Sequence, residues 1–184
     1  MKNELFPSSN LALIVIDLQE RLINAMRPDE IASVISKCEI LVNASLKLNI
    51  PVIFTEQYPK GLGPTVENLK KYFTEPPIEK TTFSCFGSAK FAKKLEEMNI
   101  KSLIICGIET HVCVQQTSFD ALERGMNIFV PADATCSRDS QNKSISLNLM
   151  LYKGITVTSV ESLLFAILRD SMHPSFKEIS RILK

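Results

Sequence analysis

The sequence has no tryptophan, only three tyrosines and no run of basic residues, so it lacks the aromatic and cationic surface that holds nucleic acid. An excess of one charge is missing too. Its 21 lysines and arginines face 20 aspartates and glutamates, leaving a net charge of +1 and no field to draw in a polyanion or an anionic membrane. No apolar stretch approaches membrane-spanning length, and MKNELFPSSN has neither the apolar core nor the cleavage site of a signal peptide. Phosphate-cradling turns of the G-x-G-x-x-G or G-x-x-x-x-G-K-[ST] kind are absent, which argues against a nucleotide-binding α/β protein. The five cysteines, Cys38, Cys85, Cys106, Cys113 and Cys136, form no C-x-x-C pair and are odd in number. That pattern argues against a disulfide framework and for free thiols in a reducing compartment, so a cytoplasmic protein is expected. There is no internal repeat, linker or low-complexity segment, and 184 residues suit a single domain over 1–184.

What is present is an alternation of buried strands and amphipathic helices. Leu11 to Ile16 is a continuous apolar run that ends abruptly in Asp17. Pro28-Asp29-Glu30 then opens a long helix whose Ile31, Val34, Ile35, Cys38, Leu41, Val42 and Leu46 keep a helical rhythm to about Asn49. Pro51 to Thr55 reads as the second strand, and Glu56 to Pro64 as a loop rich in turn residues. Ile78 to Ser84 has the content of a short edge strand, and Gly87 to Met98 that of a helix. Leu103 to Cys106 reads as a strand covered on both faces and ended by Gly107. A helix follows with Val112, Phe119 and Leu122 inward, and Gly125 stops it. Strands at 127–130 and 156–159 and helices at 137–151, 162–169 and after His173-Pro174 complete the chain, with Asp139 or Ser140 as a cap. The alternation predicts an α/β protein, a three-layer sandwich around a mostly parallel sheet.

In such a sheet a site lies beyond the carboxyl ends of the central strands. Asp17 and Cys113 each leave one. Cys113 falls in the first helical turn, where the helix dipole and unpaired backbone N–H groups favour a thiolate, although buried cysteines most often only fill space. Asp17 either furnishes the site or caps a helix. Lys80, between apolar and threonine neighbours, is either an exposed lysine or a third member of the site. Gln57 and Tyr58, in the loop beside Asp17, are either substrate contacts or loop anchors.

Taken together, three separated motifs resemble the isochorismatase-like cysteine hydrolase superfamily. They are Asp17-Leu18-Gln19 after the first strand, Lys80 in the K-T-x-F-S context of Lys80 to Ser84, and G-I-E-T-H-V-C-V-Q-Q-T from Gly107 to Thr117. The loop TEQYPKGLGPT and the ending HPSFKEISRILK are similar to the branch of isochorismatase-domain-containing proteins. The resemblance implies a Rossmann-like fold with six strands in the order 3-2-1-4-5-6, and a catalytic triad of Asp17, Lys80 and Cys113. It also implies a cis peptide bond at Ile108-Glu109, with backbone N–H groups of Glu109 and Cys113 forming an oxyanion hole, and a homodimer or homotetramer. The implied reaction is hydrolysis of a small amide or related C–N substrate through a Cys113 thioester. Lys80 would favour the thiolate and Asp17 would serve as acid and base. Gln19, Gln57, Tyr58, Phe83 and His111 are the candidate substrate contacts.

The sequence departs from the metal-dependent nicotinamidases of that superfamily. Only His111 and His173 are available, too few for a site of one aspartate and three histidines, so neither metal nor cofactor is expected. Two alternatives remain: hydrolysis of an isochorismate-type vinyl ether, and a catalytically silent oligomeric interaction protein. Glu109 poses its own question, because a carboxylate beside an oxyanion hole opposes negative charge unless it points away or meets a cation.

Overall fold

A computed structural model describes residues 10–183. The first nine residues, which include most of the segment read as lacking a signal peptide, and Lys184 lie outside the described residues.

Strand β1 (Leu11–Ile16) is buried along its whole length because it is covered on both faces. Its side chains alternate between two cores. Leu11, Leu13 and Val15 point to one, and Ala12, Ile14 and Ile16 to the other. A short helix α1 (Glu20–Ile23) follows, then α2 (Pro28–Lys47), which starts with proline in its first turn. The inward stripe of α2 keeps Ile31, Val34, Cys38, Leu41 and Val42, but at its end Ala44 and Ser45 are buried while Leu46 is partly exposed. Strand β2 (Val52–Gln57) runs two residues past the expected Thr55, so Glu56 and Gln57 lie in the sheet rather than in a loop.

Short helices α3 (Pro59–Leu62) and α4 (Glu67–Lys70) lead to the edge strand β3 (Ile78–Lys80), and a 3₁₀ turn (Cys85–Gly87) to α5 (Ala89–Glu97). Strand β4 (Ser102–Ile108) passes through Gly107 instead of ending there. Gly107 has φ +110°, and a Cβ at that position would collide with the backbone of Ile16, so the glycine permits β1 and β4 to approach closely where both reach the site. A π-helical turn (Thr110–Val114) precedes α6 (Gln115–Glu123). Val112, Phe119 and Leu122 pack against the core half-buried, as expected, and the deeper positions are Val114, Thr117, Ser118 and Ala121, which are fully buried. Small polar side chains tolerate this because they are bonded, Ser118 Oγ donating to Val114 O at 2.8 Å and Thr117 Oγ1 accepting from the Cys85 N–H at 3.0 Å.

The chain ends with β5 (Asn127–Pro131), β6 (Thr135–Cys136), α7 (Ser140–Tyr152), β7 (Thr156–Thr158), α8 (Val160–Leu168) and α9 (Phe176–Ile182). Asp139 caps α7, its Oδ1 accepting from the Gln141 N–H at 2.7 Å. Among the described residues the strands form one parallel sheet in the order β3-β2-β1-β4-β5-β7. The expected order holds, with the seventh strand of the chain in the sixth place. The two-residue β6, which the sequence reading missed, pairs with the end of β4. Helices α2, α8 and α9 pack on one face of the sheet, and α5, α6 and α7 on the other. No helix of the described residues is long and apolar enough to cross a membrane.

Candidate active site

Asp17 is the residue at which β1 stops. It has φ +51°, a left-handed conformation that aspartate adopts more readily than most residues, and its carboxyl group is fully buried. Thr55 on β2 and Lys80 on β3 share that carboxyl group. Thr55 Oγ1 donates to Oδ1 at 2.7 Å, and Lys80 Nζ donates to Oδ2 at 2.6 Å. The Lys80–Asp17 ion pair is shielded from water, with side chains 1% and 0% exposed. Burial alone would push the Lys80 ammonium toward neutrality, but Asp17 opposes it, helped by the nearby Cys113 and Cys85, and the net shift is upward. Lys80 is therefore a buried member of the site and not an exposed lysine.

Cys113, in the π-helical turn between β4 and α6, is buried to 6% exposure and feels the charges of both Asp17 and Lys80. Its thiol is pushed up to about 12, first by burial and then by the Asp17 carboxylate, while Lys80 pulls it down. Burial and the facing carboxylate thus oppose the thiolate that the helix start and Lys80 favour. A helix terminus favours the anion only weakly compared with the loss of water around a buried sulfur and a carboxylate facing it. The sulfur lies where a carboxylate and an ammonium both act on it.

The candidate substrate contacts separate into two groups. Gln19 is fully buried, and its amide is consumed by backbone: Nε2 donates to Gln57 O at 3.1 Å and Gly63 O at 2.7 Å, and Oε1 accepts from the Gln57 N–H at 2.7 Å. Gln57 donates from Nε2 to Thr81 O at 2.7 Å and accepts the Lys80 ammonium on Oε1 at 2.8 Å. Gln19 therefore holds Gln57, and Gln57, itself partly exposed, holds Lys80. Tyr58 and Phe83 are about half exposed. The Tyr58 ring lies where a Cβ on Gly61 would stand, and its N–H donates to Lys80 O at 2.9 Å. A cavity of about 400 Å³ opens on this flank, lined by Tyr58, Lys60, Glu79, Lys80, Thr81 and Ser88. His111 is half-buried, with Nδ1 2.9 Å from Ser137 Oγ.

Glu109 follows the cis peptide bond Ile108–Glu109. Its carboxylate turns toward the strand-end segment after β6, where Oε2 accepts from the Arg138 N–H at 3.0 Å and pairs with Nε at 3.7 Å. Its charge thus meets a cation. Among the described residues, no group of three or more His, Cys, Asp or Glu side chains is arranged to hold a metal ion.

Sequence reasoning missed Thr55 and Cys85. Cys85 is fully buried beside Asp17, Lys80, Thr55 and Thr117, and its thiol also rises to about 12, through burial and the Asp17 charge. Its position after K-T-T-F-S was the available signal, because that segment is tied to α6 by Ser84 Oγ donating to Asp120 Oδ2 at 2.6 Å. Thr55 gave a weaker one, a hydroxyl inside an otherwise apolar strand.

Comparison with known proteins places this geometry in context. Residues 11–162 match the model of the isochorismatase domain. Isochorismatase domain-containing protein 1 of Salmo salar is 39% identical over 168 residues, 91% of this chain and 59% of that protein, so the chain spans less than two thirds of this relative. Isochorismatase family protein 1B of Dictyostelium discoideum is 37% identical over 178 residues, covering 94% of this chain and 85% of that one. A solved structure described as MAR1 ribonuclease from Caenorhabditis elegans superposes with a TM-score of 0.89 at 37% identity, over 97% of this chain and 91% of its own. The matched span runs from the first strand past the last and includes Asp17, Lys80 and Cys113, and the chain belongs to the isochorismatase family.

Proposed function

We propose that the protein is a hydrolase of a small amide or related C–N substrate, with Cys113 as nucleophile, Asp17 as acid and base, and Lys80 as the cation that stabilises the sulfur anion. The observation that carries the reading is the water-excluded Lys80–Asp17 pair at 2.6 Å beside the Cys113 thiol. A surface ion pair would mean little. A buried one costs several kcal/mol of desolvation, and a site that needs both charges gives a reason to retain it.

The chemistry balances with these three side chains. As sulfur attacks the carbonyl carbon, its proton passes to Asp17, and Lys80 offsets the negative charge that a sulfur with a pKa near 12 would otherwise resist. The carbonyl oxygen becomes an oxyanion met by the backbone N–H groups of Glu109 and Cys113, each worth about 3 kcal/mol in comparable sites. Asp17 hands its proton to the departing nitrogen as the C–N bond breaks. In the second half Asp17 takes a proton from water, the hydroxyl displaces sulfur from the thioester, and the thiol is restored. The turn of Glu109 toward Arg138 supports this arrangement, because it directs that charge away from a developing anion. Substrate enters on the flank of Tyr58 and Phe83.

The description of the nematode relative as a ribonuclease supplies a competing arm. The test is a panel of small amides, ureides, isochorismate and short RNA with the parent protein and Cys113→Ala. Turnover of an amide or ureide that falls at least about a thousandfold in Cys113→Ala is expected. RNA cleavage or vinyl ether hydrolysis that persists in Cys113→Ala would overturn the reading.

A further inference from the structure

We propose that Thr55 is a positioning residue whose hydroxyl aims the Asp17 carboxylate at the Cys113 thiol. The inference rests on the reading of Asp17 as the acceptor of the Cys113 proton.

Thr55 sits in register with Ile16, the last residue of β1, and is 1% exposed. It holds Asp17 at two points: its carbonyl accepts the Asp17 N–H at 3.3 Å, and its Oγ1 donates to Oδ1 at 2.7 Å. Lys80 takes the other oxygen at 2.6 Å. With one buried donor on each oxygen, the carboxylate cannot rotate about its last torsion without breaking one of the two bonds. A lysine on a flexible four-carbon stem does not by itself define that plane. It is held in turn by Gln57 Oε1 at 2.8 Å and more loosely by Thr82 O at 3.4 Å. The chain of supports therefore runs Gln19, Gln57, Lys80 on one side of the carboxylate and Thr55 alone on the other.

Packing does not explain the hydroxyl. Valine has the same shape, and Thr55 stands in a strand where Ile53 and Phe54 are apolar and buried. A buried hydroxyl must find a partner, and this one uses its single proton on Asp17. The titratable groups facing the carboxylate are Lys80 from β3, Cys85 from the 3₁₀ turn and Cys113 from the π-helical turn.

The experiment is the rate of Cys113 alkylation by iodoacetamide from pH 5.5 to 8.5, mapped by mass spectrometry. The variants are Thr55→Val, Thr55→Ser and Asp17→Asn, each checked by circular dichroism. In the parent the rate rises by less than about tenfold per pH unit, because the proton passes to Asp17 and not to solvent. Thr55→Val is expected to slow alkylation about tenfold at pH 6.5 and to steepen the profile, and Thr55→Ser to stay within about twofold of the parent. If Thr55→Val keeps the parent's rate and slope while Asp17→Asn changes both, the role of Thr55 is overturned and the reading of Asp17 stands. If Asp17→Asn also keeps them, that reading fails and takes Thr55 with it. Should the valine variant not fold, Thr55→Ala removes the same hydroxyl and is read the same way.

Discussion

The five thiols divide between the two faces of the sheet, and the division shows what a nucleophile requires. Cys38, Cys106 and Cys136 lie in the core beneath α2, α8 and α9, while Cys85 and Cys113 lie in the core beneath α5, α6 and α7. All five are buried. Burial pushes Cys38 far up, with Cys106 adding to it, and pushes Cys136 to about 12, as it does Cys85 and Cys113. Burial does not separate the two faces. Neighbours do. Cys38 donates to Ala134 O at 3.3 Å and has thiols and Asp133 around it, and Cys136 faces the partly exposed Glu30–Lys143 pair, whereas Cys113 meets a carboxylate and an ammonium that are both shielded from water.

The largest expected effect is the loss of the ion pair that marks the second face. Lys80→Met strands the buried Asp17 carboxylate and should cost about 3–5 kcal/mol in urea unfolding, most of it recovered in the double variant Asp17→Asn/Lys80→Met. A single variant as stable as the parent would break the comparison, because the pair would then not be held out of water.

A smaller contrast comes from replacing thiols by hydroxyls. Cys106→Ser places a hydroxyl in the apolar core and should cost about 1–3 kcal/mol, whereas Cys85→Ser finds Thr55 and Thr117 beside it and should cost less than about 1 kcal/mol. Equal costs would mean that the two faces are alike in polarity.

The smallest effect is shared by both faces. A thiol raised in the folded state keeps its proton longer than it does in the unfolded chain, so its stabilising contribution is complete only well below about pH 9 and declines as pH rises toward 12. The melting temperature should fall by about 3 °C between pH 8 and pH 9, and less in Cys85→Ser. A flat profile would contradict the burial of these groups.

Much of the fold was legible in the sequence because it depends on periodicity. The run Leu11 to Ile16 has no polar residue to place outside, so it had to be covered on both faces, and Pro28 with its following acids could only open a helix. The two-residue β6 was not legible, since Thr135 and Cys136 become a strand only by meeting Gly107 and Ile108. Gly107 read as a strand end for a similar reason. Its φ of +110° serves the close approach of Ile16, a residue some ninety positions away. Asp17, Lys80 and Cys113 stood out by residue type and motif, but the roles of Gln19 and Gln57 did not. A glutamine near a site can touch substrate or backbone, and only the path of β2 past Thr55 turned both amides inward.

The amino-acid order by itself determined the alternation of strands and helices, the parallel sheet and the set of polar groups carried to its carboxyl edge, because apolar periodicity and turn chemistry act over short spans of chain. Tertiary structure alone decided which of those groups bond to one another, that Thr55 and Lys80 divide the Asp17 carboxylate between them, and that burial and Asp17 push the Cys113 thiol up while Lys80 pulls it down. Hydrogen-bond partnership and desolvation depend on the distances between distant segments, and those distances do not exist until the sheet has formed.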